Sequence, residues 1–174
     1  MVKNPTLKFP LLFTLLILVC TSCARSSESV ELPATLVPIT ITNDLSQVDV
    51  CSAIPQEDIE AVMGHKLASP PEPFLYYDTP GTSGCSYDGG KDSNGNATFG
   101  YVALTPGSVY DEQPLSENTT VSGLGSSAFF NNGSDARQLW VKVNNNLALV
   151  VAFGDEPNEE GAKAIARLVL AAFQ

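Results

Sequence analysis

The hydrophobic pattern is clearest in the last third of the chain. Gln138-Leu-Trp-Val-Lys-Val143 alternates, with Leu139, Val141 and Val143 on one side and Trp140 and Lys142 on the other, the period-two signature of a strand. Asn144-Asn-Asn146 turns it into Leu147-Ala-Leu-Val-Val-Ala-Phe153, apolar at every position. A strand that is apolar on both faces belongs in the middle of a sheet. From Pro157 to about Phe173 the period becomes helical. Ala162, Ile165, Ala166, Val169, Ala172 and Phe173 share one side, and Glu159, Glu160, Lys163 and Arg167 the other.

Upstream, Pro55 suits a first helical position, Glu57 and Asp58 favour a helix N-terminus, and Gly64 suits the exit. Ile59, Val62 and Met63 give this short helix one apolar face. Ser69-Pro-Pro-Glu-Pro73 breaks the chain ahead of a strand over 74–77. Gly84-Cys-Ser-Tyr87 and Thr98 to Leu104 read as a hairpin with its tip at 88–96, where Asn94-Gly95 tolerates the positive φ that hairpin turns require. Residues 106–120 are polar and read as irregular, with one helical turn near Ser108 to Asp111. Gly123-Leu-Gly125 turns the chain into Ala128-Phe129-Phe130. These elements predict an α+β domain, a mostly antiparallel sheet with a short N-terminal helix and a long C-terminal helix packed on it.

The N-terminus follows a different logic. Lys3 and Lys8 precede an apolar run from Phe9 to Cys20, and Thr21-Ser22-Cys23 follows. A basic start, about a dozen apolar residues and a small-residue exit describe an export signal, and the run is shorter than the roughly 20 residues that span a bilayer. Small Thr21 and Ser22 ahead of Cys23 match a bacterial lipobox, which makes Cys23 the lipidation site and the new N-terminus. Cys20 stands where lipoboxes usually carry Leu, and it is itself a poorer acceptor with bulky Val19 before it. Cleavage after Ala24, giving a secreted protein, is the alternative. The predicted organisation is a lipoprotein signal peptide over 1–22, a Ser/Thr/Pro-containing tether over 23–47 and a single domain over 48–174.

Loss of residues 1–22 removes two lysines and leaves seven basic against 19 acidic residues, a net charge of −12. That balance opposes binding to nucleic acid, whose phosphates call for Lys and Arg. It also opposes docking on anionic head groups, so the lipid anchor and not the surface would hold the chain at the membrane. Beyond the anchor only Cys51 and Cys85 remain. In an oxidising compartment two cysteines in one small domain pair, and the spacing is too wide for a redox or metal pair.

Cys51-Ser-Ala-Ile54-Pro-Gln-Glu57-Asp-Ile59, Gly64, Gly84-Cys85-Ser-Tyr87 and Val121-Ser-Gly-Leu-Gly125 with Ala128-Phe129 resemble small exported actinobacterial lipoproteins grouped as a domain of unknown function. The resemblance covers about residues 49–173. It implies a disulfide that joins a cysteine ahead of a short helix to one before an aromatic residue, and a glycine-shaped turn. Ile54 stands where such proteins usually place a capping Thr, and Ser126 where an acidic residue often follows the second Gly. The resemblance carries no catalytic residue.

Little else in the chain signals chemistry. His65 is the single histidine, which excludes multi-histidine metal sites, and its place after Gly64 suits a helix end. The tip from Asp88 to Asn96 has alternating oxygen ligands but fails the EF-hand pattern, with no closing Glu and Gly out of place. Glu57, Asp58 and Glu60, Asp111 and Glu112, and Asp155, Glu156, Glu159 and Glu160 sit at helix starts or turns, where negative charge is favoured. Asn96-Ala-Thr98, Asn118-Thr-Thr120 and Asn132-Gly-Ser134 are glycosylation sequons that mean nothing beside a bacterial lipobox. Trp140 with Tyr101 and Tyr87 could form a ligand platform, although packing under a helix is the simpler use.

The sequence thus predicts an extracytoplasmic lipoprotein held by Cys23, stabilised by Cys51–Cys85, with no catalytic residue, cofactor or metal. Its role would be to bind a protein or small-molecule partner. A structural envelope protein without a discrete ligand is the alternative, and a hydrolase-type enzyme ranks third. A concave, partly apolar site beside the sheet would favour ligand binding.

Overall fold

The computed structural model describes residues 44–113, 118–131, 137–153 and 159–173. Residues 1–43, and with them Cys23 and the export signal, lie outside the described residues. No helix among the described residues is long and apolar enough to cross a membrane.

Among the described residues seven strands form one antiparallel sheet. They are β1 (Glu72–Phe74), β2 (Ser83–Lys91), β3 (Ala97–Thr105), β4 (Thr119–Val121), β5 (Ser127–Asn131), β6 (Gln138–Asn144) and β7 (Leu147–Phe153), in the order β1-β2-β3-β7-β6-β5-β4. β7, apolar throughout, takes the central position and is buried along its whole length. The α+β class therefore holds. Among the described residues four helices accompany the sheet: α1 (Val50–Ala53), α2 (Gln56–Met63), α3 (Gly107–Asp111) and α4 (Glu159–Ala172). α4 has 14 residues and is ~21 Å long at ~1.5 Å per residue. The start expected for it at Pro157 lies outside the described residues.

Side-chain alternation divides the core into two layers. Leu147, Leu149, Val151 and Phe153 of β7 join Leu139, Val141, Val102 and Leu104 beneath α4, whose Ala162, Ile165, Ala166, Val169 and Ala172 are buried. Ala148 and Val150 face the other way, into a layer of Tyr76, Tyr110, Phe129 and Trp140. Small residues on the central strands make room for these rings: Tyr101 is paired with Ala152, and Trp140 with Val150. α3 and the 3-10 turn Tyr76–Asp78 cover this second face. One face therefore carries a full-length helix and the other the five-residue α3, a short turn and aromatic rings.

Several boundaries differ from the sequence reading. Leu45 is buried and a 3-10 turn spans Leu45–Gln47, capped by Asp44, so the folded structure reaches into the stretch assigned to the tether. The strand expected over 74–77 ends at Phe74. The Tyr76 amide donates to Thr82 Oγ1 at 2.9 Å, and this side-chain bond replaces the next ladder bond. β2 continues through Asp88 to Lys91, past a bulge between Asp88 and Gly90, so the hairpin tip shrinks to Asp92–Asn96. There Gly95 has φ +86°, and Asp92 accepts from the Asn94 and Asn96 amides at 2.8 Å each. These bonds account for the acidic and amide residues of the tip. β4 falls in polar sequence read as irregular.

The Cys51–Cys85 disulfide is present, with Cα atoms 5.0 Å apart. Cys51 lies in the short α1, ahead of α2, so the bond ties α1 to β2. Chain-entropy arguments give a loop of this size a contribution of roughly 3–4 kcal/mol. Replacing both cysteines with Ala is expected to lower unfolding stability by about that amount in chemical denaturation. Gly125 has φ +54°, and a Cβ there would lie 2.4 Å from the Lys142 carbonyl oxygen. Gly123 has φ +79° with open space around it. Gly125→Ala should therefore cost well over ~1 kcal/mol, and Gly123→Ala only about the left-handed backbone penalty of ~1 kcal/mol.

Candidate functional site

The acidic residues singled out above are dispersed into local contacts. Glu60 is nearly buried in α2 and accepts from Lys66 Nζ, from Gln56 Nε2 at 2.7 Å and from the Leu67 amide at 3.2 Å. The Lys66 bond above all, then that from Gln56, holds the Glu60 carboxyl down to about 2. Asp111 pairs with Lys142, Glu159 with Arg137, and Glu160 with Lys163. Asp155 and Glu156 lie outside the described residues. Asp58 is the exception. It is 1 % exposed, its Oδ2 has no partner among the described residues, and burial followed by the nearby Glu57 pushes its carboxyl up.

His65 is half-buried, with Nδ1 3.2 Å from the Lys66 carbonyl oxygen. Its ring packs over the bulge in β2, where a Cβ on Gly89 would lie 2.3 Å from His65 Cε1 and from Thr98 Oγ1. The absence of a side chain at Gly89 is what admits the imidazole. No group of three metal-ligating side chains converges among the described residues.

The three aromatic residues weighed as a platform are separated by the sheet. Tyr87 lies in the layer beneath the helices and Trp140 in the opposite layer, with Tyr101 packed against it. Alternation along β2 and β3 puts them there, because Tyr87 is in register with Gly100 and not with Tyr101. Burial pushes the Tyr87 phenol up, and the nearby Asp49 adds to the shift. Trp140 and Tyr76 meet edge to face at 5.9 Å, and both bond Gln138 Oε1, at 3.0 Å from Trp140 Nε1 and 3.4 Å from the Tyr76 hydroxyl. Gln138 Nε2 reaches the Tyr77 hydroxyl at 3.5 Å. Gln138 is thus a buried polar hub that the alternation of β6 marks only as an inward-facing polar residue.

A cavity of about 250 Å³ opens at the edge of the sheet beside β1. Val48, Asp49 and Val50 contribute one side, Pro73, Phe74 and Leu75 the other, and Ser83 and Gly84 at the start of β2 complete the lining with Ser46. Local folding explains the hollow. Asp49 caps α1 by accepting from the Ser52 amide at 3.1 Å and the Ser52 hydroxyl, and the disulfide draws α1 over β2. The chain ahead of α1 therefore passes beside β1 without filling the space. The Ser52 hydroxyl and amide keep the Asp49 carboxyl below its ordinary value. Ser83 is 6 % exposed, and its hydroxyl has no hydrogen-bond partner among the described residues.

Next to the cavity the segment from Leu75 to Asp78 projects outward, with Leu75 47 % and Tyr77 73 % exposed. Tyr77 and Asp78 both adopt left-handed backbone, φ +50° and +52°, a conformation that costs non-glycine residues energy and collects at functional loops. Nothing in the sequence marks either the cavity or this pair. No protein-family model, curated protein or solved structure matches the chain.

The Glu60 bonds generate a pH dependence. A carboxyl depressed from 4.5 to about 2 contributes stability that is complete above pH 4.5 and is lost as pH falls toward 2. Glu60→Gln should be less stable than the parent at pH 7, with the difference narrowing between pH 4.5 and 2. Denaturant titrations across that window check it.

Proposed function

We propose that this chain is an extracytoplasmic binding module, anchored to a membrane through acyl chains on Cys23, that holds a small molecule in the cavity beside β1 and performs no chemistry on it. The cavity carries the reading. It is an open hollow with a mainly apolar lining and Ser46, Asp49 and Ser83 at its edge, the mix of apolar surface and a few polar groups that small-molecule sites use. The export pattern and the disulfide support an oxidising, extracytoplasmic setting, and the resemblance to exported actinobacterial lipoproteins agrees with it. Two acyl chains would supply the two anchoring signals that stable membrane attachment needs.

A second reading rests on Leu75 and Tyr77. Exposed apolar and aromatic side chains on a strained turn are the kind of anchor that protein interfaces use. In that case Tyr77, not the cavity, would carry the energy, and an envelope protein without a small ligand would be the result.

Two measurements test the proposal. Cys23→Ala should move the protein from the membrane fraction to the soluble extracytoplasmic fraction. A lipid-free N-terminus at Arg25 in the parent would replace the anchor with plain secretion. In protein-observed NMR with a library of small apolar fragments, amide shifts should concentrate at residues 46–50, 73–75 and 83–84. Shifts confined to the Leu75–Asp78 turn, or none, would overturn the small-molecule reading.

A further inference from the structure

We propose that Asn94-Gly95, at the tip of the hairpin between β2 and β3, is a latent modification site where Asn94 converts to aspartate or isoaspartate, and that Asp92 sets the rate by holding the attacking nitrogen in a turn. The sequence supplies the reacting groups. The backbone nitrogen that follows an asparagine can attack its side-chain amide carbon, and glycine shields that nitrogen least because it has no side chain. Asn94 and Gly95 are both exposed, and nothing lies within 4 Å of the place a Cβ on Gly95 would occupy. Solvent therefore reaches both partners.

The chemistry needs no co-reactant except water. Gly95 N bonds to Asn94 Cγ, the Cγ–Nδ2 bond breaks, and ammonia leaves with the hydrogen that Gly95 N gives up. Water then opens the five-membered imide. Addition at Cγ gives aspartate, and addition at the backbone carbonyl carbon gives isoaspartate, whose main chain runs through Cβ. One product places a second carboxylate near Asp92 and the other lengthens the backbone of the turn, so either loosens the tip.

The folded tip opposes the first step. Gly95 N–H donates to the Asp92 carbonyl oxygen at 3.0 Å, so the attacking nitrogen is engaged. Asp92 Oδ1 accepts from the amides on either side of it, those of Asn94 and Asn96, at 2.8 Å each. Asp92 Oδ2 accepts from Asn96 Nδ2 at 3.2 Å, and the Asp92 amide donates to the Asn96 carbonyl oxygen at 2.9 Å. Every one of these bonds runs to a single residue. The Asn96 amide, helped by that of Asn94, keeps the Asp92 carboxyl below its ordinary value, so at neutral pH it is an ionised acceptor. Attack therefore waits for local opening of the tip, which exposed turns undergo more readily than core strands.

The test incubates the full chain, folded and in denaturant, at mildly alkaline pH and follows conversion at Asn94 by fragment-ion mass spectrometry and by enzymatic methylation of isoaspartate. The folded parent should convert more slowly than the denatured parent. Folded Asp92→Ala should convert about fivefold faster than the folded parent, the factor that ~1 kcal/mol of net hydrogen bonding represents. Asp92→Ser, whose hydroxyl makes such turn bonds more weakly, should fall between them. In denaturant the turn is gone and all three should converge. Hydrogen exchange of the β3 and β7 amides, unchanged among the three, separates opening of the tip from global unfolding. A folded Asp92→Ala variant no faster than the parent, a gain matched by equally faster exchange in β3 and β7, or rates that still differ in denaturant would overturn the role of Asp92. Absence of conversion even in denaturant would remove the site itself.

Discussion

The structure depends on the double-sided burial of β7. A strand with no polar side chain has no face to offer water, so both of its faces must be covered. The amphipathic α4 covers one. The other is covered by aromatic rings that reach across from β3, β5 and β6 and from the turn after β1. The hydrophobic driving force of roughly 25 cal/mol per Å² is thus used on both sides of one strand, and every other strand takes its place by distance from it. The sheet ends in two three-residue strands, short enough to offer little edge for pairing with other chains.

The two layers differ in kind. Beneath α4 the contacts are mainly aliphatic, joined by Tyr87, Phe130 and Phe153, with the disulfide at the margin. Opposite, a few rings take the place of a helix, and their polar tips converge on Gln138. Because Gln138 takes bonds from Trp140 and Tyr76 and gives one to Tyr77, the strained turn is coupled to the inner layer. The conformation of Tyr77 is therefore set partly from inside the sheet. The cavity lies at the outer margin, beside β1 and the start of α1.

Sequence reading recovers what periodicity encodes. The alternation of β6, the uninterrupted apolar run of β7 and the glycine turn ahead of β5 are all visible as patterns, and the pairing of Cys51 with Cys85 follows from compartment and count. Short elements escape. β4 lies in polar residues that become a strand only because β5 offers a neighbour, and the bulge at Gly89 has no signal until His65 is placed over it. Tyr87 and Tyr101 look equivalent on paper and fall on opposite faces, because one residue of register reverses a side chain. The cavity has no local signature at all. It arises between two segments that are distant in sequence.

The order of the strands also divides the sheet by chain position. β1, β2 and β3 are joined by local connections, as are β4 to β7, and the strands of the two halves pair only along β3 and β7, between residues that are 43 (Thr105 and Ala148) to 53 (Gly100 and Phe153) positions apart. Contacts of such separation carry the largest loop-closure entropy in the sheet and are the kind that slow folding. Cys51 and Cys85 both lie on the N-terminal side of this seam. Oxidation thus secures one half internally and shortens no path to the other, so joining the halves relies on burying β7 rather than on a covalent link.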